Sequence, residues 1–246
     1  MHAALEVEAP AKSRTLRPMT GNEAIARGAW EAGVKVAAAY PGTPSTEILE
    51  SLGSYLAEDL HAQWSPNEKV ALDVAVGASF AGVRAFAAMK HVGLNVASDT
   101  FMSQTYIGVN GGLVIAVADD PGIHSSQNEQ DSRLWGQFGH ALVLEPSDAQ
   151  EALEFTRQAF ELSERFDTIA LVRTTTRLSH TRSSVQVGTR TEHPRTGFIE
   201  KPPKNVMIPA HARGRHGAII EREAQMRRFL DDSPLNRWIE GDARVG

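Results

Sequence analysis

The stretch Val34-Lys35-Val36-Ala37-Ala38-Ala39-Tyr40-Pro41-Gly42-Thr43-Pro44-Ser45 decides how the chain is read. A short apolar run stops abruptly in a turn punctuated by proline and glycine, the pattern of a buried strand that delivers the chain to a loop at its carboxyl end. Upstream, residues 21–32 read as a helix, with Thr20 as candidate N-cap and Gly33 as candidate C-cap. Downstream the alternation repeats: a helix to about Leu60, a short strand through Gln63-Trp64, and a helix over 67–82. Strands are predicted at 84–89, 113–118, 142–144 and 169–173, and helices near 95–107, 129–138 and 148–165. Continuous runs of Val, Ile, Leu and Ala between helices indicate strands buried on both faces, hence an α/β fold with a doubly wound, mainly parallel sheet.

The composition agrees with that class and removes others. Of 246 residues, 41% are hydrophobic and 22% charged, which suits one substantial domain with an appendage rather than a disordered or fibrous chain. A net charge of −5 provides no global positive field to collect phosphates, so neither nucleic acid nor an anionic membrane is expected as partner. Cysteine is absent, so this chain can build no disulfide, thiolate nucleophile or iron–sulfur cluster by itself. Glu6, Glu8, Lys12 and Arg14 stand where a signal peptide needs an apolar core, and the uncharged run 100–118 is broken by Ser103, Gln104, Asn110 and Gly111-Gly112. A cytoplasmic protein is expected. The division expected along the chain is a polar tail at 1–17, the α/β domain at 18–176, an extended basic arm at 177–216 and a charged helix with a linking end at 217–246. Residues 177–215 hold eight basic and two acidic residues, with four prolines and no convincing periodicity.

Ligands of open α/β sheets bind at the carboxyl ends of the strands, so the loops there are where chemistry is sought. Thr43 precedes a proline suited to the first helical position; its hydroxyl then lies beside free N–H groups, either as a plain cap or to hold a carboxylate or phosphate. Ser65 and Glu68 match a capping box, yet Glu68 also lies just past a strand end, where an acid could give or take a proton. Lys90-His91-Val92-Gly93-Leu94-Asn95 forms a third loop. The fourth, residues 119–131, is long and polar; its acids and His124 lack a recognised metal-ligand spacing, and it reads as solvated or partner-facing. No metal site is expected. Neither G-x-G-x-x-G nor G-x-x-x-x-G-K-[ST] occurs, which lowers nicotinamide enzymes and P-loop NTPases.

Taken together, Gly21-Asn22-Glu23-Ala24, Tyr40-Pro41-Gly42-Thr43-Pro44-Ser45, Asn67-Glu68-Lys69-Val70-Ala71, Met89-Lys90-His91-Val92-Gly93-Leu94-Asn95, Val117-Ala118-Asp119-Asp120-Pro121-Gly122, the run from His124 to Asp131 and Arg173-Thr174-Thr175-Thr176-Arg177 resemble the N-terminal part of indolepyruvate ferredoxin oxidoreductase alpha subunits. The resemblance extends to Ser233-Pro234-Leu235-Asn236-Arg237. It implies the pyrimidine-binding domain of a thiamine-diphosphate-dependent 2-oxoacid:ferredoxin oxidoreductase. Glu68 is then the acid that hydrogen-bonds N1′ of the aminopyrimidine and favours the 4′-imino form, which withdraws the C2 proton from the thiazolium. Pro41, Gly42 and His91 are implied to line the cofactor, Thr43, Lys90 and His91 the substrate, and His124 and Asn128 a protein interface.

The resemblance also implies what is missing: the diphosphate-binding domain with its Gly-Asp-Gly magnesium site and the cysteine-rich ferredoxin-like end. Gly241-Asp242-Ala243 is not that metal motif. The expectation is a subunit of a split enzyme or a truncated form, inactive alone, whose iron–sulfur clusters and magnesium lie on partner chains in a homo- or hetero-oligomer. The completed enzyme takes a 2-oxoacid and coenzyme A. Two alternatives stand beside it: a component for another 2-oxoacid such as phenylglyoxylate, and a noncatalytic small-molecule-binding module.

Overall fold

The computed structural model describes residues 15–237, 239–242 and 244. The tail at 1–14, Ala243 of the Gly241-Asp242-Ala243 segment, and Val245-Gly246 fall outside the described residues. In chain order the elements are β1 (Thr15–Thr20), α1 (Gly21–Glu31), β2 (Val36–Ala39), α2 (Thr46–Gly53), β3 (His61–Trp64), α3 (Glu68–Phe80), β4 (Ala85–Lys90), α4 (His91–Val96), α5 (Ser98–Ile107) and β5 (Leu113–Asp119). They continue as α6 (Arg133–Gly139), β6 (Leu142–Leu144), α7 (Ala149–Phe166), β7 (Ala170–Thr175), α8 (Thr176–His180), β8 (Arg182–Val187), α9 (Pro202–Asn205) and α10 (Pro209–Asp231).

Six strands form one sheet in the order β3-β2-β4-β5-β7-β6, every pairing parallel. Alternate residues of each strand feed opposite faces, as the two-residue period of a strand requires. Phe86 and Ala88 of β4 and Val114 and Ala116 of β5 join Ile25, Leu153 and Phe160 beneath α1, α2 and α7. Ala87, Met89, Ile115 and Val117 join Leu72, Leu94 and Phe101 beneath α3, α4 and α5. The sheet is therefore doubly wound. The chain leaves β2 toward one edge and β4 toward the other, so the switch of winding direction falls between the carboxyl ends of β2 and β4.

Several local expectations change. The expected capping box does not form at Ser65: the N-cap is Asn67, whose Oδ1 accepts from the Val70 N–H at 2.9 Å, and Ser65 Oγ is buried without a partner. Both residues can cap, and Asn67 holds the extended backbone directly before the first helical turn. Pro44 does not open α2; residues 43–45 turn first, closed by Ser45 N–H to the Gly42 carbonyl and Gly42 N–H to Thr46 Oγ1. The helix expected to reach Leu60 ends at Gly53, a poor helix former. The loop after β4 is instead α4, joined to α5 at Ala97, because burial of His91, Gly93 and Leu94 overrides the loop signal of the glycine.

The remaining differences lie at the ends. Thr15–Thr20, divided between the expected tail and domain, and Arg182–Val187, read as arm, pair antiparallel as the β1–β8 ribbon. α10 begins at Pro209 rather than Gly217, proline being well suited to a first helical turn. Between ribbon and α10 the chain runs beneath the amino ends of the strands. Arg190 donates to the Trp30 and Val34 carbonyls, Arg195 to Ala81, Lys204 to Val109, Arg215 to Tyr106 and Ile107, and Arg222 to Thr105 and Asp167. The arm thus passes β2, β4, β5 and β7 in their order across the sheet. No helix among the described residues is long and apolar enough to cross a membrane.

Candidate functional site

The carboxyl ends of β2, β3, β4 and β5 bring four chain segments together. Glu68 opens α3, half-buried, and its carboxylate makes no hydrogen bond or ion pair among the described residues. It is seated instead against the backbone of Gly93 in α4: a Cβ at that glycine would fall 2.6 Å from Glu68 Cγ, 2.7 Å from Oε1 and 2.9 Å from Cδ. No real side chain tolerates such distances, so Gly93 is what lets the carboxylate occupy this place. Gly42, in the turn after β2, makes the same kind of room for the Lys90 stem, which an added Cβ would meet at 3.0 Å.

Lys90 and His91 face inward. Lys90 Nζ donates to the Ser125 carbonyl at 3.1 Å, and the fully buried His91 directs Nε2 at the Asn128 carbonyl at 3.0 Å. A carbonyl can only accept, so Nε2 carries the proton and Nδ1, also buried, is left with no partner. The two side chains thereby pin the 120–131 loop over the switch point. Ser125 Oγ reaches the Thr43 carbonyl, so this loop also touches the turn after β2. Thr43 itself lies in that turn, away from a helix N-terminus. His124 and Asn128 are both exposed.

Two aspartates at the end of β5 organise the long loop, a role the sequence reading did not assign. Asp119, wholly buried, accepts from the Ser132 N–H and hydroxyl and from Arg173 Nε at 2.9 Å. Asp120 accepts from the Ser125 N–H and the Thr176 hydroxyl, each at 2.7 Å. Burial pushes the Asp120 carboxyl up, but the bonds from the Ser125 N–H and the Thr176 hydroxyl outweigh it and hold the group well below the usual carboxylate range. Asn22 was also missed: fully buried, it donates to the Pro44 carbonyl at 2.7 Å and to Glu47 at 3.0 Å, fixing the turn that carries Thr43. The signal was Asn22 itself, a helix-disfavoured residue in the first turn of an otherwise apolar face.

A half-buried acceptor without a donor, held beside a backbone stripped of Cβ, fits a flat heterocycle with a ring nitrogen able to share a proton. The aminopyrimidine end of a thiamine cofactor is such a heterocycle; among the described residues no three His, Asp or Glu side chains converge as a cation site.

Residues 27–222 match the family described as pyruvate flavodoxin/ferredoxin oxidoreductase, thiamine diphosphate-binding. The chain belongs to this family. Within this thiamine-diphosphate-binding family it is 49% identical over 237 residues to a protein of Thermococcus kodakarensis named indolepyruvate oxidoreductase subunit IorA, and 50% over 232 residues to one of the same name from Methanothermobacter thermautotrophicus. Each match takes in 93% of this chain but only 36% and 38% of the relative, so the chain spans little more than a third of their length. A 2-oxoglutarate synthase subunit KorA of the latter organism is 28% identical over 194 residues, 76% of this chain and 52% of that one. Among solved structures, 2-oxoglutarate:ferredoxin oxidoreductase from Magnetococcus marinus superimposes with a TM-score of 0.72 at 18% identity, over 93% of this chain and 48% of that chain. At that identity the likeness speaks for the fold.

Proposed function

We propose that this chain forms the aminopyrimidine side of the active site in a thiamine-diphosphate-dependent oxidoreductase that oxidatively decarboxylates an aryl 2-oxoacid, such as indolepyruvate, to its acyl-coenzyme A. The observation that carries the proposal is the unpartnered Glu68 carboxylate, seated against Gly93 at the switch point of the sheet. The near-half identity to proteins named indolepyruvate oxidoreductase subunit, against 28% to a 2-oxoglutarate synthase subunit, supports the aryl substrate.

When bound, thiamine diphosphate would supply a nucleophilic carbon and a sink for the electron pair released by decarboxylation. Glu68 holds a proton at N1′ of the aminopyrimidine, and its lack of any competing partner leaves the carboxylate wholly available for that exchange. Gly93 fixes where the carboxylate stands. Asn22 fixes the turn that presents Thr43, which we assign to substrate binding, while Pro41 and Gly42 line the cofactor. Lys90 and His91 act by tying down the 120–131 loop. These 246 residues hold no cysteine, so we assign the iron–sulfur clusters, with the diphosphate and magnesium ligands, to residues outside them. Exposed Tyr40 and Trp64, at the ends of β2 and β3, give the carboxyl-end face an apolar content that suits a covering protein domain, with His124 and Asn128 at that interface.

The test is reduction of ferredoxin by the completed enzyme, with thiamine diphosphate, magnesium and coenzyme A, on indolepyruvate, phenylpyruvate, phenylglyoxylate and 2-oxoglutarate. Aryl pyruvates are expected to give the highest kcat/KM. Preference for 2-oxoglutarate removes the aryl assignment, and no turnover on any 2-oxoacid leaves a noncatalytic binding module.

A further inference from the structure

One strand along from Glu68, the carboxyl ends of β5 and β7 enclose a separate cleft of about 580 Å³, lined by Pro121, His124, Thr175, Thr176 and Arg177. Its near wall is an unusual piece of backbone. Gly122 and Ile123 follow one another at φ +85° and φ +57°. The first is ordinary for glycine; the second is a left-handed conformation that a β-branched residue seldom keeps unless its surroundings impose it. Here they do. Ile123 N–H donates to the Asp120 carbonyl at 3.0 Å, Gly122 N–H to Glu129 Oε2 at 2.7 Å, and Ser125 N–H to Asp120 Oδ2 at 2.7 Å. The turn folds the His124 ring back over Gly122, where an added Cβ would stand 3.2 Å from Nε2.

The lining residues that follow β7 include a charge with no partner among the described residues. The Arg177 guanidinium makes no hydrogen bond or ion pair among the described residues. Two acids of the loop are already committed: Asp120 to the Ser125 N–H and the Thr176 hydroxyl, Glu129 to the Gly122 N–H. Thr175 Oγ1 accepts from the Leu178 N–H, which leaves the hydroxyl proton free to point into the cleft. A solvated arginine alone means little. An unpaired guanidinium, a free hydroxyl proton and an imidazole that line one cleft together offer the donors an oxyanion needs.

We propose that this cleft binds an oxyanion of a reactant, a carboxylate or a phosphate, with Arg177 as the charged donor and Thr175 and His124 completing the receptor. Two sources share that chemistry: the carboxylate of the 2-oxoacid and the phosphates of coenzyme A. The inference rests on the reading that the chain serves a 2-oxoacid and coenzyme A reaction.

The experiment uses the completed enzyme and its Arg177→Gln and His124→Gln variants, with thermal unfolding to verify their fold. Dissociation constants for coenzyme A and for the 2-oxoacid are measured by calorimetry, and KM for each by steady-state kinetics. Loss of a charge-assisted hydrogen bond is expected to weaken one of the two ligands about tenfold or more in Arg177→Gln, mainly in KM, and the same ligand less in His124→Gln. Inorganic phosphate should compete with that ligand in wild type and lose this effect in Arg177→Gln. The ligand affected identifies the source. If Arg177→Gln fails to fold, Arg177→Lys and His124→Gln carry the test, the first retaining part of the affinity. Affinities for both ligands within twofold of wild type in every folded variant overturn the proposal. An enzyme that binds these ligands but turns over no 2-oxoacid overturns the functional reading instead.

Discussion

The two ends of the parallel sheet are finished in opposite ways. At the amino ends, the carbonyls of Trp30, Ala32, Ala81, Thr105, Tyr106, Ile107, Val109 and Asp167 are taken by arginines and by Lys204. Most lie at or just past helix C-termini, whose orphan carbonyls and negative dipole ends favour cations. Arg84 also binds Glu161 and Glu164. Burial pushes the Glu164 carboxyl up, and the Arg84 guanidinium more than offsets this, leaving it lowered. At the carboxyl ends, Glu68 and Arg177 stand without partners among the described residues and His91 buries an unsatisfied Nδ1. At one end cations take the backbone carbonyls, and at the other charged side chains are left open to a ligand. Stability and chemistry should therefore respond separately to substitution.

Glu68→Gln is the largest expected break in one direction. Turnover of the completed enzyme should fall by about 10²-fold or more, since amide cannot share the proton, while the unfolding midpoint holds because Asn67 and not Glu68 caps α3. Near-normal turnover would remove Glu68 from catalysis. Arg222→Met breaks the comparison from the other side: two carbonyls lose a donor buried to 7% exposure, costing about 2 kcal/mol and roughly 4–8 °C in Tm. Its kcat per folded molecule should stay at the wild-type value, and a large fall would show that the arm reaches the chemistry. Gly93→Ala sharpens the contrast within one end, displacing the Glu68 carboxylate for about a tenfold loss in kcat. A crystal structure of that variant with Glu68 unmoved would contradict it.

The smallest effect concerns Asp120. Its folded pKa lies below the unfolded value of about 3.9, so its stabilisation is complete above about pH 5 and drains away as pH falls through 4. Asp120→Asn should flatten the acid limb of a Tm-against-pH curve by about 2–4 °C. Parallel acid limbs in the two proteins would show that the loop does not depend on this charge.

What could be read in the sequence follows from what leaves a periodic mark. Apolar runs announced five of the six strands of the main sheet, Leu142–Leu144 to the residue, because strands buried on both faces must be continuously apolar; the edge strand His61–Trp64 is mixed and half exposed. The same reasoning located the strand-end loops and hence Glu68. β1 and β8 left no such mark, being largely polar and paired only with each other across the whole core. Nor did the basic arm, since an arginine aimed at a backbone carbonyl obeys no side-chain pattern. Ser65 and Asn67 were indistinguishable as caps by residue type, and only backbone geometry chose between them. Gly93 looked like loop punctuation, where its missing Cβ was the point.

The β1–β8 ribbon sets an order of assembly. Its register joins Thr15 to Val187, so the loop it closes contains the entire parallel sheet, and closure gains nothing until that intervening chain has already condensed. The ribbon is accordingly a late event in folding. Pulsed hydrogen exchange during refolding should protect the amides of β5 well before those of β8. A strand that closes last opens first, so loosening the ribbon should shorten the lifetime of the folded chain while leaving the rate at which it forms almost untouched.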